Sequence, residues 1–183
     1  MNQRKKILFV CTGNTCRSPM AEGLFLKLSA GHPEWLAGSA GTAAWNGQGA
    51  SPETLHVLND HEVDLSGHAS RAVTLELVEE ATDIYTMTES HLAAMLANFP
   101  EHADKIRLVT CYTDNRNISD PIGCGQAAYN NVARQLTDAI RAIIARMEQE
   151  AQSHSHSRSP FLFFLFPACL LPQCCTLIFP GRS

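Results

Sequence analysis

Through its first 150 residues the chain alternates short apolar runs with stretches whose apolar residues return every three or four positions. Residues 5–10, KKILFV, form an apolar run that closes on a loop at Gly13, the pattern of a buried strand. Met20, Ala21, Leu24, Phe25 and Leu28 then share one face of a predicted helix, with Ser18 placed to cap it and Pro19 at its first position. WLAGSAGT at 35–42 reads as a second strand, and SPETLHVLNDH at 51–61 repeats the Ser-Pro helix start. TLELVEEA at 74–81 leads into a third strand, DIYTMT at 83–88, after which Leu92, Met95, Leu96 and Phe99 make a helical stripe. KIRLVT at 105–110 is a fourth strand. Tyr129, Val132, Leu136, Ile140, Ile143, Ile144 and Met147 mark a long terminal helix, and all of these stripes are read as core.

Strands separated by helical segments, with no tight hairpin signal between them, require right-handed crossovers. The pattern predicts an α/β domain: a four-stranded parallel sheet with helices on both faces. Such sheets bind ligands at the carboxyl ends of their strands. The segment leaving the first predicted strand there is CTGNTCRS, residues 11–18.

After Glu150 the pattern stops. AQSHSHSRSP at 151–160 reads as a polar linker, with His154 and His156 as solvated linker residues, and residues 161–179 are apolar without a charge. As a helix those residues would span ~28 Å, close to a bilayer's hydrocarbon thickness. Pro167 and Pro172 break that helix and Gln173 is polar, so a tail is expected in preference to a membrane anchor. The predicted division is a catalytic domain over 1–150, a linker over 151–160 and a tail over 161–183.

Composition narrows the partners. Residues 1–150 hold 12 basic and 18 acidic side chains, a net charge of −6, which argues against nucleic acid. Seven cysteines at irregular spacing, after a polar N-terminus without a secretory pattern, lead to the expectation of a reducing, cytoplasmic compartment. A monomer is expected.

Cys11 and Cys16 raise three readings: a metal clamp, a disulfide, or a nucleophile in an anion cup. No second Cys or His pair at zinc spacing lies in the body of the chain, and a structural disulfide suits a reducing compartment poorly. A loop between a strand end and a helix start aims successive backbone N–H groups at one point and adds the positive end of the helix dipole. Gly13 is expected to permit the tight turn, and Asn14 to tolerate a left-handed backbone while its amide ties the loop together. The loop lacks the Gly-Lys-Ser/Thr ending of a nucleotide loop and any GxGxxG, so nucleotide binding is disfavoured. A positive cup favours the Cys11 thiolate. Arg17 offers a bidentate fork to phosphoryl oxygens, and Ser18 a hydroxyl proton to the sulfur.

CTGNTCRS is a C-x5-R-S loop and strongly resembles that of the low-molecular-weight protein phosphatases. The resemblance extends to SAGT at 39–42, DIYTMT at 83–88 and DP at 120–121, and covers roughly residues 6–150. It implies that family's flavodoxin-like layering, a cysteinyl-phosphate on Cys11, clamping by Arg17 and general acid catalysis by Asp120. It also implies a phosphate cup of Thr12, Gly13, Asn14, Thr15, Cys16 and Ser18, with no cofactor or metal and phosphorylated proteins as substrates. Asp120 precedes Pro121, which holds it extended in NISDPIGCG, a loop able to hang a carboxyl over a pocket. His68 and His91 are read as ordinary surface or capping histidines.

Within that family the loop resembles the protein-arginine phosphatases more than the tyrosine phosphatases. CTGNTCRSPMAE at 11–22 stands in them as it stands here, with Thr15 where tyrosine enzymes usually carry an aliphatic residue. A hydroxyl there can bond a phosphoguanidinium. Ile122 departs from the aromatic residue that both branches place after the Asp-Pro pair. Phosphoarginine is therefore expected, with phosphotyrosine as the alternative. Arsenate reductase and a non-catalytic phosphoprotein reader are remote alternatives, because DIYTMTESHLA has no cysteine and Cys11, Ser18 and Asp120 are intact. The resemblance further implies a reversible Cys11–Cys16 disulfide under peroxide.

Overall fold

Alternate residues of the first strand, β1 (Lys5–Cys11), enter two different cores. Ile7, Phe9 and Cys11 face one way and Leu8 and Val10 the other, as the two-residue period of a strand requires. β1 is thus buried on both faces, and full burial of side chains such as Ile7 and Phe9 contributes about 1.5–3 kcal/mol each. The molecule is seen in a computed structural model that describes residues 4–156.

Around β1 the remaining strands, β2 (Trp35–Gly41), β3 (Asp83–Thr86) and β4 (Ile106–Leu108), line up in the order β2-β1-β3-β4, all parallel. Helices α1 (Arg17–Leu28), α2 (Pro52–Asp60) and α5 (Gln126–His156) pack on the Phe9 face. α3 (Leu75–Glu80) and α4 (Glu89–Asn98) cover the other. The four-stranded parallel sheet with helices on both faces is as the hydrophobic pattern predicts. The chain leaves β1 for β2 on one side and later returns to β3 on the other. The carboxyl end of β1 is therefore the topological switch point, where such sheets leave a crevice.

Three local expectations are corrected. Ser18 does not cap α1: the helix starts at Arg17 behind Cys16, with no side-chain cap, because the Ser18 hydroxyl is engaged inside the preceding loop. Pro19 accordingly sits within the first turn and not at its start, where its missing N–H still costs nothing. Gly13 is not required by any clash, since a Cβ there would meet only Thr15 Oγ1 at 3.7 Å, whereas Asn14 takes the left-handed backbone expected of it, with φ 56°. Finally, α5 continues past Glu150 to His156, so composition changes inside a helix and not at its end. Ser51 does cap α2, accepting from the Thr54 N–H. Among the described residues no helix is long and apolar enough to cross a membrane. The anchor reading of 161–179 and the tail over 161–183 lie outside the described residues, as do the side chains of His154 and His156.

Candidate active site

Residues 12–16 join the end of β1 to the start of α1, and their carbonyls decide where their amides point. Cys11 O accepts from the Thr42 N–H at 2.9 Å, Thr12 O from the Ala43 N–H at 3.0 Å, and Thr15 O from the Ser51 N–H at 2.8 Å. Asn14 O accepts from His68 Nε2–H at 2.8 Å. A trans peptide sets its N–H opposite its C=O. Four carbonyls tied to the segments behind the loop therefore turn the N–H groups of Thr12, Gly13, Thr15 and Cys16 the other way, into the loop. Gly41, the last residue of β2, permits this close approach: a Cβ there would collide with Thr12 O and lie 3.0 Å from the Asn14 nitrogen.

At the base of this ring, Cys11 Sγ receives the Asn14 N–H at 3.3 Å and lies 2.9 Å from Ser18 Oγ. The neighbouring bonds limit what the Ser18 hydroxyl can do there. Ser39 Oγ donates to Glu22 Oε2 at 2.6 Å, so it accepts from Asn14 Nδ2 at 2.8 Å. Asn14 Nδ2 also gives a proton to Ser18 Oγ at 3.0 Å. Ser18 keeps one proton of its own, with Cys11 Sγ at 2.9 Å and Ala40 O at 3.3 Å within reach. The sulfur is the nearer of the two acceptors. Asn14 Oδ1 accepts the Arg71 N–H at 2.9 Å, so a fully buried amide spends its whole side chain holding the loop.

Arg17 is buried, yet its guanidinium reaches a residue far along the chain: Nη2 donates to Asp120 Oδ2 at 2.8 Å, and Nη1 to Ile118 O at 3.4 Å. Asp120 is half exposed, its side chain 52% accessible, and its other oxygen accepts the Ile122 N–H at 3.3 Å. The loop after β4 thus brings a carboxyl to the mouth of the ring. Cys11, Asn14, Arg17, Ser18 and Asp120 come together as the sequence suggests. Thr12 is exposed and bonded to His91, whereas Cys16 is buried, its Sγ 3.4 Å from Tyr129 OH and 3.6 Å from Thr15 Oγ1. Burial and that contact push Tyr129 up to about 12, so the phenol is protonated at neutral pH. Among the described residues Cys11, Cys16, Cys111 and Cys124 are free thiols, and no cluster there suits a metal ion.

Two residues set aside by the sequence reading belong to this machinery. His68 holds Asn14 O. His91 does stand in the capped first turn of α4, its backbone N–H held by Thr88 Oγ1, but it is 6% exposed and not on the surface. Burial and the Arg17 charge hold its imidazole below the ordinary histidine value, against a smaller opposite pull from Asp120. Neither motif marked them. Gly41 and Ser39 were within SAGT, which the resemblance did single out.

A family model described as low molecular weight phosphotyrosine protein phosphatase matches residues 6–153. The chain belongs to this family. Among relatives of this phosphatase family it is 35% identical over 147 residues to the low molecular weight protein-tyrosine-phosphatase Wzb of Salmonella typhi, covering 80% of this chain and 89% of that one. It is 32% identical over 149 residues to the protein-arginine-phosphatase of Bacillus subtilis, covering 79% and 97%. The solved YwlE arginine phosphatase from Geobacillus stearothermophilus superposes with a TM-score of 0.77 at 32% identity, over 82% of this chain and 97% of that one.

Proposed function

We propose that the chain is a phosphoprotein phosphatase working through a cysteinyl-phosphate, with Cys11 as nucleophile, Arg17 as phosphoryl clamp and Asp120 as general acid and base. Thr12, Gly13, Asn14, Thr15, Cys16 and Ser18 make up the phosphate cup. One observation carries this reading: a single sulfur takes the Asn14 N–H and lies against the Ser18 hydroxyl, while the Arg17–Asp120 pair stands over the same loop. In the first step the Cys11 thiolate attacks phosphorus, the bond from phosphorus to the leaving nitrogen or oxygen breaks, and Asp120 gives that atom its proton. In the second, water attacks the phosphorus on sulfur, Asp120 takes the water's proton, and phosphate leaves with the thiolate restored. Ring amides and Arg17 stabilise the charge on the three equatorial oxygens in both steps. Charge and atoms balance with water as the only co-reactant.

The proposed substrate side chain is phosphoarginine, on the strength of Thr15 in the cup and the likeness to arginine phosphatases; phosphotyrosine is the alternative, supported by the likeness to Wzb. The acidic body supports phosphorylated proteins over nucleic acid as partners. The reading places a monomer in the cytoplasm, with residues 1–150 as the phosphatase domain, 151–160 as connector and 161–183 as a tail.

Hydrolysis of p-nitrophenyl phosphate with acid-quenched peptide mass spectrometry tests the chemistry. Wild type should release nitrophenol and carry a phosphate increment on the Cys11 peptide, and Cys11→Ser should lose at least about 10⁴ in turnover. A serine variant that turns over like wild type, or a quench with no phosphorylated Cys11, overturns the reading.

A further inference from the structure

Behind the mouth of the cup runs a chain of hydroxyl and imidazole groups that the mechanism above does not use. Thr12 Oγ1 lies 2.8 Å from His91 Nε2, and His91 Nδ1 lies 2.8 Å from Thr88 Oγ1. Thr88 Oγ1 also accepts the His91 backbone N–H at 3.3 Å and lies 2.8 Å from Ser90 Oγ. His91 is buried and Thr12 exposed, so the chain runs from the interior of α4's first turn to the cleft. His91 lies close enough to Arg17 and Asp120 to feel both charges.

A neutral imidazole donates from one nitrogen and accepts at the other. Two assignments balance. In one, Nε2–H donates to Thr12, which turns its own proton into the cleft. In the other, Nδ1–H donates to Thr88, Thr88 donates to Ser90, and Thr12 gives its proton to Nε2, which leaves both lone pairs of its oxygen facing the cleft. The substrate decides between them. The cup amides and Arg17 are donors only, matched to phosphoryl oxygens. A phosphoguanidinium also brings N–H groups on its leaving side, and these lose hydration on entry unless an acceptor meets them. A phenyl phosphate brings none.

We propose that Thr12 is a specificity-determining residue whose oxygen accepts an N–H of the substrate guanidinium, and that His91 is the positioning residue that turns this oxygen outward by taking the Thr12 proton on Nε2. This rests on the phosphoarginine reading. Burial of His91 beside Arg17 keeps the imidazole in the neutral form that the arrangement needs.

The test is kcat and KM on matched phosphoarginine and phosphotyrosine peptides for wild type, Thr12→Val, His91→Ala, the double variant and His91→Gln. Thr12→Val should lower the phosphoarginine-to-phosphotyrosine ratio of kcat/KM about tenfold, the worth of one hydrogen bond to a charged group. His91→Ala should move the ratio equally, and the double variant no further, because His91 acts through Thr12. His91→Gln should restore most of it, since the amide oxygen can take the Thr12 proton. A ratio unmoved by Thr12→Val, whose exposed site makes misfolding a poor explanation, overturns the proposal; so does an additive double variant. Wild type inactive on phosphoarginine removes both this proposal and the phosphoarginine reading. Wild type that prefers phosphoarginine, with a ratio unmoved in the variants, removes this proposal alone.

Discussion

The floor of the cup and its rim are built on opposite terms. On the floor Asn14 and Ser18 are wholly buried and Arg17 nearly so, and the Asn14 amide is tied to Ser18, Ser39 and the Arg71 N–H. On the rim Ile122 is 64% exposed, and Asp120 is held by one guanidinium and one backbone N–H. Desolvated, preoriented dipoles are what a developing phosphoryl charge needs, and they cost no reorganisation at the moment of reaction. Exposed side chains on loops are what discrimination among leaving groups needs, because they can change without disturbing the floor. The contrast assigns rate to the floor and choice of substrate to the rim.

Asp120 is the residue that should break this division most severely. It stands on the rim but is bonded to the floor through Arg17. Asp120→Asn keeps a partner for Arg17 and removes the exchangeable proton, so turnover should fall by about 10²–10⁴ with KM little changed. The loss should be greater for an alkyl-type leaving group than for p-nitrophenol, which departs without protonation. Equal losses on both would move the acid elsewhere.

Asn14 tests the floor. Asn14→Ala removes side-chain bonds to Ser18, Ser39 and the Arg71 N–H and leaves a left-handed backbone on an ordinary residue. Stability should drop by about 2–4 kcal/mol in urea unfolding, and turnover should fall by the same factor on phosphoarginine and phosphotyrosine. A change in the ratio of the two substrates would show that the floor also chooses.

The strands and the long helix were legible because burial on both faces of β1 leaves a continuous apolar run, and the stripe from Tyr129 to Met147 has an unambiguous period. The loop was legible because Cys11, Arg17 and Ser18 lie within eight residues of one another. What holds the loop was not. His68, Ser39, Arg71 and Ser51 reach it through single hydrogen bonds from sequence distances of 25 to 57 residues, and a single polar bond leaves no period to read. Ser18 misleads because a serine before a proline-led helix looks like a cap, whereas its hydroxyl is engaged with Cys11 Sγ, Asn14 Nδ2 and Ala40 O inside the loop. Gly41 shows the same limit from the other side: its requirement is set by Thr12 O, brought near only by the pairing of β1 with β2.

Thr15 sharpens the comparison at a smaller scale. It is half-buried between floor and rim, and among the described residues its hydroxyl bonds to the Cys16 Sγ side chain alone, so an isoleucine there removes no bond that ties the loop to its surroundings. Thr15→Ile should shift kcat/KM about tenfold toward phosphotyrosine, the size expected when a hydroxyl's hydrogen bond to the guanidinium gives way to alkyl packing against a ring. The urea midpoint should stay close to wild type. An unchanged ratio would remove Thr15 from the case for phosphoarginine.

The smallest effect should come from His91, which joins rim to interior. Burial first and the Arg17 charge second depress its folded value below the 6.5 of a free histidine, with Asp120 opposing weakly. In the unfolded chain His91 binds a proton as pH falls through that ordinary value, while in the folded chain it stays neutral. The unfolded state then carries the extra proton, so stability is full above the ordinary histidine range, declines as pH falls through it, and stops declining once the folded imidazole also protonates. Urea unfolding at pH 7.5, 6.5 and 5.5 on wild type and His91→Gln isolates this group from the other histidines: the wild-type loss of stability on acidification should exceed that of the variant. Substrate choice changes only below that window, where the folded imidazole itself takes a proton: a protonated His91 donates to Thr12 and turns the threonine proton toward the cleft, where a guanidinium meets it as a like dipole. Phosphoarginine turnover should therefore fall on acidification sooner than phosphotyrosine turnover in wild type and not in His91→Gln. Parallel profiles for both substrates in both proteins would show that the imidazole serves the helix alone, and that rim and interior are not coupled through it.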